Sequence, residues 1–117
     1  MSQTKIVREE TVEENRALSA VLLDMKNSCI VFLSEGEESL GTLAVALPQQ
    51  PGMIGPALSS TLLGERNTNL ARLLAERLAG SMKKMVLVSV FVRSMNEREA
   101  GRAFLALLEK TLQKMGA

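Results

Sequence analysis

Apolar residues fall along this chain in short blocks separated by polar turns. Ala17 to Leu23, Ser28 to Ser34, Leu40 to Leu47 and Ala57 to Leu63 are each too short for an ordinary helix, and they read as strands. Asp24-Met25-Lys26-Asn27 and Glu35-Gly36-Glu37-Glu38 supply turn chemistry between the first three. Such spacing predicts antiparallel hairpins, with Ser34 facing Ser39 across the second turn. Met85 to Val92, Met-Val-Leu-Val-Ser-Val-Phe-Val, is the strongest strand of all. Lys5 to Glu13 mixes Ile6, Val7 and Val12 with five charges. It suits an exposed edge strand, and a helix is the open alternative.

Two segments change period. Leu70, Leu73, Leu74 and Leu78 form one stripe of a helix expected from Asn67 to Ala79, opened by Asn67 or Thr68 and closed by Gly80. Asn96, with Glu99 three residues on, opens a second helix. Its buried face is Ala100, Ala103, Phe104, Leu107, Leu108, Leu112 and Met115. All three prolines lie in Pro48-Gln49-Gln50-Pro51-Gly52-Met53-Ile54-Gly55-Pro56, which reads as a loop inside one domain spanning residues 1–117.

The strands do not alternate as a half-wet sheet should. Met85 to Val92 carries Val86, Val88, Val90 and Val92 on one side and Met85, Leu87, Ser89 and Phe91 on the other. Both faces therefore need cover, and two helices can shield only one. The expected fold is α+β, an antiparallel sheet of five or six strands with two helices on one face. The other face packs against a partner sheet. Matching Ser34 with Ser39 groups Ile30 and Phe32 with Leu43 and Val45. It sets Cys29, Val31, Leu33, Thr42, Ala44 and Ala46 on the opposite face. The smaller side chains of this second set assign it to the dimer interface, and the bulkier set to the space beneath the helices. A one-residue slip would reverse that choice.

Composition narrows the chemistry. The 117 residues include no histidine, tryptophan or tyrosine and three phenylalanines. That excludes a His-based acid/base, a Ser-His or Cys-His pair and a His/Cys zinc site within this chain. Fourteen Lys and Arg against thirteen Asp and Glu leave a net charge of +1, no global field for nucleic acid, and the aromatics are too few to stack bases. No apolar run is long enough to span a membrane. The first ten residues lack the apolar core of a secretory signal. The lone Cys29, set among apolar residues, points to a buried thiol in a reducing compartment, expected to be the cytoplasm, with the nucleus open as a second location. No catalytic residue, metal or cofactor is expected, so the chain is not read as an enzyme. Glu35-Gly36-Glu37-Glu38 and Lys83-Lys84 read as solvated turns. The charged helix starts and the Pro48 to Pro56 loop are the candidate polar docking surfaces.

One ordered set of segments is similar to a known family. Leu40-Gly41-Thr42-Leu43 is followed by the Pro-containing loop and by Ser59-Ser60-Thr61-Leu62-Leu63-Gly64. Then come a helix, the Val-rich strand and a terminal helix. Over roughly Cys29 to Leu112 this resembles the small proteasome assembly chaperones, the third and fourth of that group. The resemblance implies a non-enzymatic chaperone that pairs through its sheet, as a homodimer or as a heterodimer with a paralogous chaperone. It further implies binding of proteasome α-type subunits and assistance to the α-ring of the 20S core particle. The competing reading is a dimeric scaffold or adaptor of the roadblock or longin type that binds a GTPase or a trafficking complex.

Overall fold

The computed structural model of the chain describes residues 3–55 and 57–116; Pro56, part of the expected loop, lies outside them. The elements in order are β1 (Lys5–Glu13), β2 (Arg16–Asp24), β3 (Ser28–Glu35), β4 (Thr42–Leu47), β5 (Leu58–Leu63), α1 (Thr68–Met82), β6 (Met85–Phe91) and α2 (Glu97–Met115). They build one six-stranded sheet in the order β1-β2-β3-β6-β4-β5. Both helices lie on one face, α1 across β4, β5 and β6, and α2 across β1 and β2.

Lys5–Glu13 is an edge strand, as its charges suggest. It joins β2 through a two-residue turn whose Glu14 and Asn15 sit at φ 50° and 65°. Two consecutive left-handed residues match the twist of the flanking strands, and Asn tolerates that conformation well.

The expected β3–β4 hairpin does not form. β6 enters between the two strands, parallel to β3 (Val31↔Val88) and antiparallel to β4 (Ala44↔Val88), so the sheet is mixed. The most apolar strand thereby takes a central place, with both hydrogen-bonding edges paired. Ser34 still meets Ser39: its hydroxyl donates to the Ser39 carbonyl at 3.2 Å and accepts from the Ser39 N–H at 3.0 Å. The chain then passes the end of β6 at Gly41, where a Cβ would stand 2.1 Å from the Val90 carbonyl oxygen. Only glycine fits that approach.

Paired residues share a face, so the sorting of side chains survives the inserted strand. Val31, Val88 and Ala44 lie on one side, and Phe32, Ser89 and Leu43 on the other. Which side is covered is the reverse of the expectation. Cys29, Val31, Leu33, Ala44 and Ala46 are 0% exposed beneath the helices, and Thr42 is buried with them. The small residues suit a helix rather than a second sheet. Ala71, Ala75 and Ala79 of α1 bring its backbone close to Ala44 and Ala46, while Leu70, Leu74 and Leu78 fill the space around them.

The helix ends divide in the same way. α2 carries the full capping box: Asn96 accepts from the Glu99 N–H at 2.8 Å and Glu99 accepts from the Asn96 N–H at 3.0 Å. α1 begins at Asn67, which is left-handed and makes no side-chain cap. It runs through Gly80 and ends at Lys83, whose left-handed backbone (φ 57°) sends its N–H to the Ala79 carbonyl at 2.9 Å. Gly80 is thus an interior helical residue rather than the terminator that sequence alone suggests.

Candidate functional site

Strand pairing and helix placement leave two surfaces, one on each side of the sheet. The first is the uncovered face. Its central residues Ile30, Phe32, Leu87, Leu43 and Val45 are half-buried only because they shield one another. Toward the β5 edge the exposure rises, with Leu47 49%, Leu62 51% and Leu58 71% exposed. Three serines on this face are tied down within the chain, while Ser60 of β5 and Arg8 and Glu10 of β1 are exposed toward its two edges. Ser19 donates to the Gly36 carbonyl, Ser34 to Ser39, and the Gly41 N–H donates to Ser89 at 2.8 Å. The 36–41 turn therefore covers one end and engages these three hydroxyls, so the centre of the face presents mainly carbon. Arg8 and Glu38, 3.0 Å apart, span the rim near β1. Six strands about 4.8 Å apart and six or seven residues deep at about 3.3 Å each give a face on the order of 25 by 20 Å.

The second surface is a groove of about 1510 Å³ between α1 and α2, closed at one side by the loop after β4. Leu70, Leu73, Leu74 and Leu105 supply its apolar lining. The structure here brings together two features the sequence left separate. Pro48 to Pro51 of the loop and Glu97, Arg98 and Arg102 at the start of α2 border the same groove.

The other charged segments have structural tasks. Glu35 is buried at the end of β3 and accepts the Arg93, Ser94 and Met95 N–H groups at 2.9, 2.9 and 3.3 Å, together with the Ser94 hydroxyl. Burial alone would raise its pKa. The Ser94 hydroxyl and the three N–H groups outweigh that and hold it at about 2. The carboxylate thus pins the connection from β6 to α2. At Glu99 the Asn96 N–H is the leading cause of a lowered pKa, opposed by desolvation and helped by Arg16 at 3.3 Å. Lys84 is not a freely solvated turn residue. Its Nζ lies 2.5 Å from Asp24 Oδ1 and 2.7 Å from the Met25 carbonyl, which ties β6 to the β2–β3 turn. Cys29 is pushed up to about 11 by burial and by Asp24, with Lys84 opposing, so it stays a thiol. Among the described residues no three acidic or cysteine side chains gather as metal ligands.

The uncovered face was legible as a property of the strands, but its residues were assigned to the wrong side. The groove was missed altogether. Leu73 was its one signal, an apolar residue at the margin of the α1 stripe that is 65% exposed.

Comparison with known proteins agrees with this architecture. The family model described as Proteasome assembly chaperone 4 matches residues 4–92. No curated protein matches the chain in sequence. Among solved structures, the crystal structure of a novel chaperone complex for yeast 20S proteasome assembly contains a chain that superposes with TM-score 0.69. Identity is 16%, over 98% of this chain and 97% of that one, a likeness of fold.

Proposed function

Because the chain belongs to the proteasome assembly chaperone 4 family, we propose that it works without catalysis as a dimer that binds proteasome α-type subunits while the 20S α-ring assembles. The observation that carries the dimer is the uncovered sheet face. One side of the sheet is sealed by helices, and the other presents Ile30, Phe32, Leu87 and Val45 in a patch rimmed by charge. A lone soluble chain seldom keeps so broad an apolar surface wet. A face of this size is about 500 Å² in plan, the larger part of the roughly 800 Å² per partner of a standard interface. At about 25 cal/mol per Å² its burial offsets the entropy of association. The occupant is a second copy or a paralogous chaperone, sheet against sheet. Family membership favours this reading over a GTPase-binding adaptor, and a cytoplasmic location is part of it.

The test has two steps. Light scattering after size exclusion gives the mass of the chain alone and of the chain co-expressed with a paralogous chaperone. Immobilised proteasome α subunits are then used to capture whichever species forms. A dimer retained by at least one α subunit is the expected result. A chain that stays monomeric in both preparations and binds no α subunit overturns the proposal.

A further inference from the structure

Three features of the interhelical groove are not required by the fold. Leu73 stands in its wall, 65% exposed, while its neighbours Leu70 and Leu74 are buried beneath it. Gly80 and Gly101 border the groove from the two helices. Neither has the positive φ that demands glycine. A Cβ at Gly80 would meet nothing within 4 Å, and one at Gly101 would meet only Leu70 Cδ1, at 3.5 Å. Glycine inside a helix weakens it relative to alanine, so both positions lose helix stability with no packing reason inside the chain. Gly80 leaves open space over which another backbone can pass closely, and Gly101 keeps the floor beside Leu70 free of a further side chain.

The third feature is charge. Arg77, Lys83, Arg98 and Arg102 border the groove against Glu76 and Glu97. Glu76 already accepts from the Ser59 hydroxyl at 2.5 Å. Glu97 lies in the first turn of α2, where it answers the helix dipole. Among the described residues Lys83, Arg98 and Arg102 make no ion pair within 4.0 Å. The groove is therefore apolar at its base and positive along its rim.

We infer that this groove docks a polypeptide segment of a client protein in which apolar side chains are flanked by carboxylates. The apolar side chains contact Leu70, Leu73 and Leu105, and the segment's backbone passes over Gly80. The carboxylates pair with Arg98, Arg102 and Lys83, which fixes direction and speeds encounter. A phosphate backbone suits the site poorly, because it has no apolar groups to match the leucines at the base. The inference rests on the chaperone reading only for the identity of the client. The site itself is tested without proteasome subunits.

The experiment uses the full chain and three fluorescein-labelled peptides followed by anisotropy. The first carries leucines at helical spacing and glutamates elsewhere. The second replaces glutamate with lysine, and the third replaces leucine with serine. The first should bind saturably with Kd between about 1 and 100 μM. The other two should bind at least roughly tenfold more weakly, and added salt should weaken the first. Leu73→Glu and the double change Arg98→Glu with Arg102→Glu should each lower affinity for the first peptide roughly tenfold. The double variant should gain affinity for the lysine peptide. Gly80→Gln, whose side chain enters the open space, is an independent block. Leu73, Gly80, Arg98 and Arg102 are all at the surface, so circular dichroism and solution mass should not change. Lack of saturable binding overturns the site, as do equal binding of the acidic and basic peptides or full affinity in Leu73→Glu and Gly80→Gln. Such a result would leave α-subunit capture untouched, so the two readings fail separately.

Discussion

Replacing Glu35 by Gln isolates one electrostatic device that holds the fold together. The carboxylate receives three backbone N–H groups and the Ser94 hydroxyl, and so anchors the segment that leads into α2. A fall from 4.5 to about 2 corresponds by linkage to about 3 kcal/mol. Glu35 also lines a shallow surface pocket with Arg16 and Arg93, so solvent screens part of that, leaving roughly 2 kcal/mol. The sign follows from the depressed pKa. The contribution is complete above the ordinary 4.5, shrinks as pH falls, and is gone once pH has dropped through about 2. Urea unfolding of the wild type and of Glu35→Gln, measured from pH 7 down to pH 2, gives the difference directly. That difference should be roughly 2 kcal/mol at neutral pH and close to zero at the acid end. Equal stabilities at pH 7, or a difference that ignores pH, would refute the reasoning.

Adjacent residues of β4 should respond in opposite ways. Ala44→Asp places a carboxylate at a position 0% exposed beneath α1 and should cost at least about 3 kcal/mol, seen as loss of the folded circular dichroism signal. Val45→Asp faces the uncovered side and should keep the fold while reducing the solution mass to that of a monomer. The Cys29 thiol should react with a thiol reagent at pH 8 far more slowly than in urea. Because its pKa is raised to about 11, stability should be constant below the ordinary 9.0 and decline as pH climbs from there through about 11. Two glycine substitutions should shift the thermal midpoint in opposite directions. Gly41→Ala meets the Val90 carbonyl and should destabilise by about 2–4 kcal/mol, whereas Gly80→Ala should stabilise by about 1 kcal/mol.

Local patterns located nearly every element. The charged run Lys5–Glu13 became an edge strand, Asn96 and Glu99 formed their capping box, and the valine-rich segment became β6. Each depends on residues a few positions apart. Gly80 misled because its sequence position mimics a helix terminator, while an ordinary lysine at 83 took up the left-handed cap. No local rule announces that exchange, since a few favourable tertiary contacts outweigh the modest strain of a left-handed side-chain residue.

Local patterning settles the period of each segment, and with it the sets of side chains that travel together. Cys29, Val31 and Leu33 necessarily point opposite to Ile30 and Phe32, whatever strand lies beside them. That both sets are apolar was enough to require cover on two sides. Which set lies under the helices, and where the groove opens, is settled by how the strands assemble. β5 and β6 run parallel, so α1 is a crossover helix. The face it covers follows from strand order and from the right-handedness of such crossovers. Strand order depends on β6 entering between β3 and β4, a pairing between residues forty or more positions apart. Alternation is a property of one strand, whereas the choice of side belongs to the path that joins several of them.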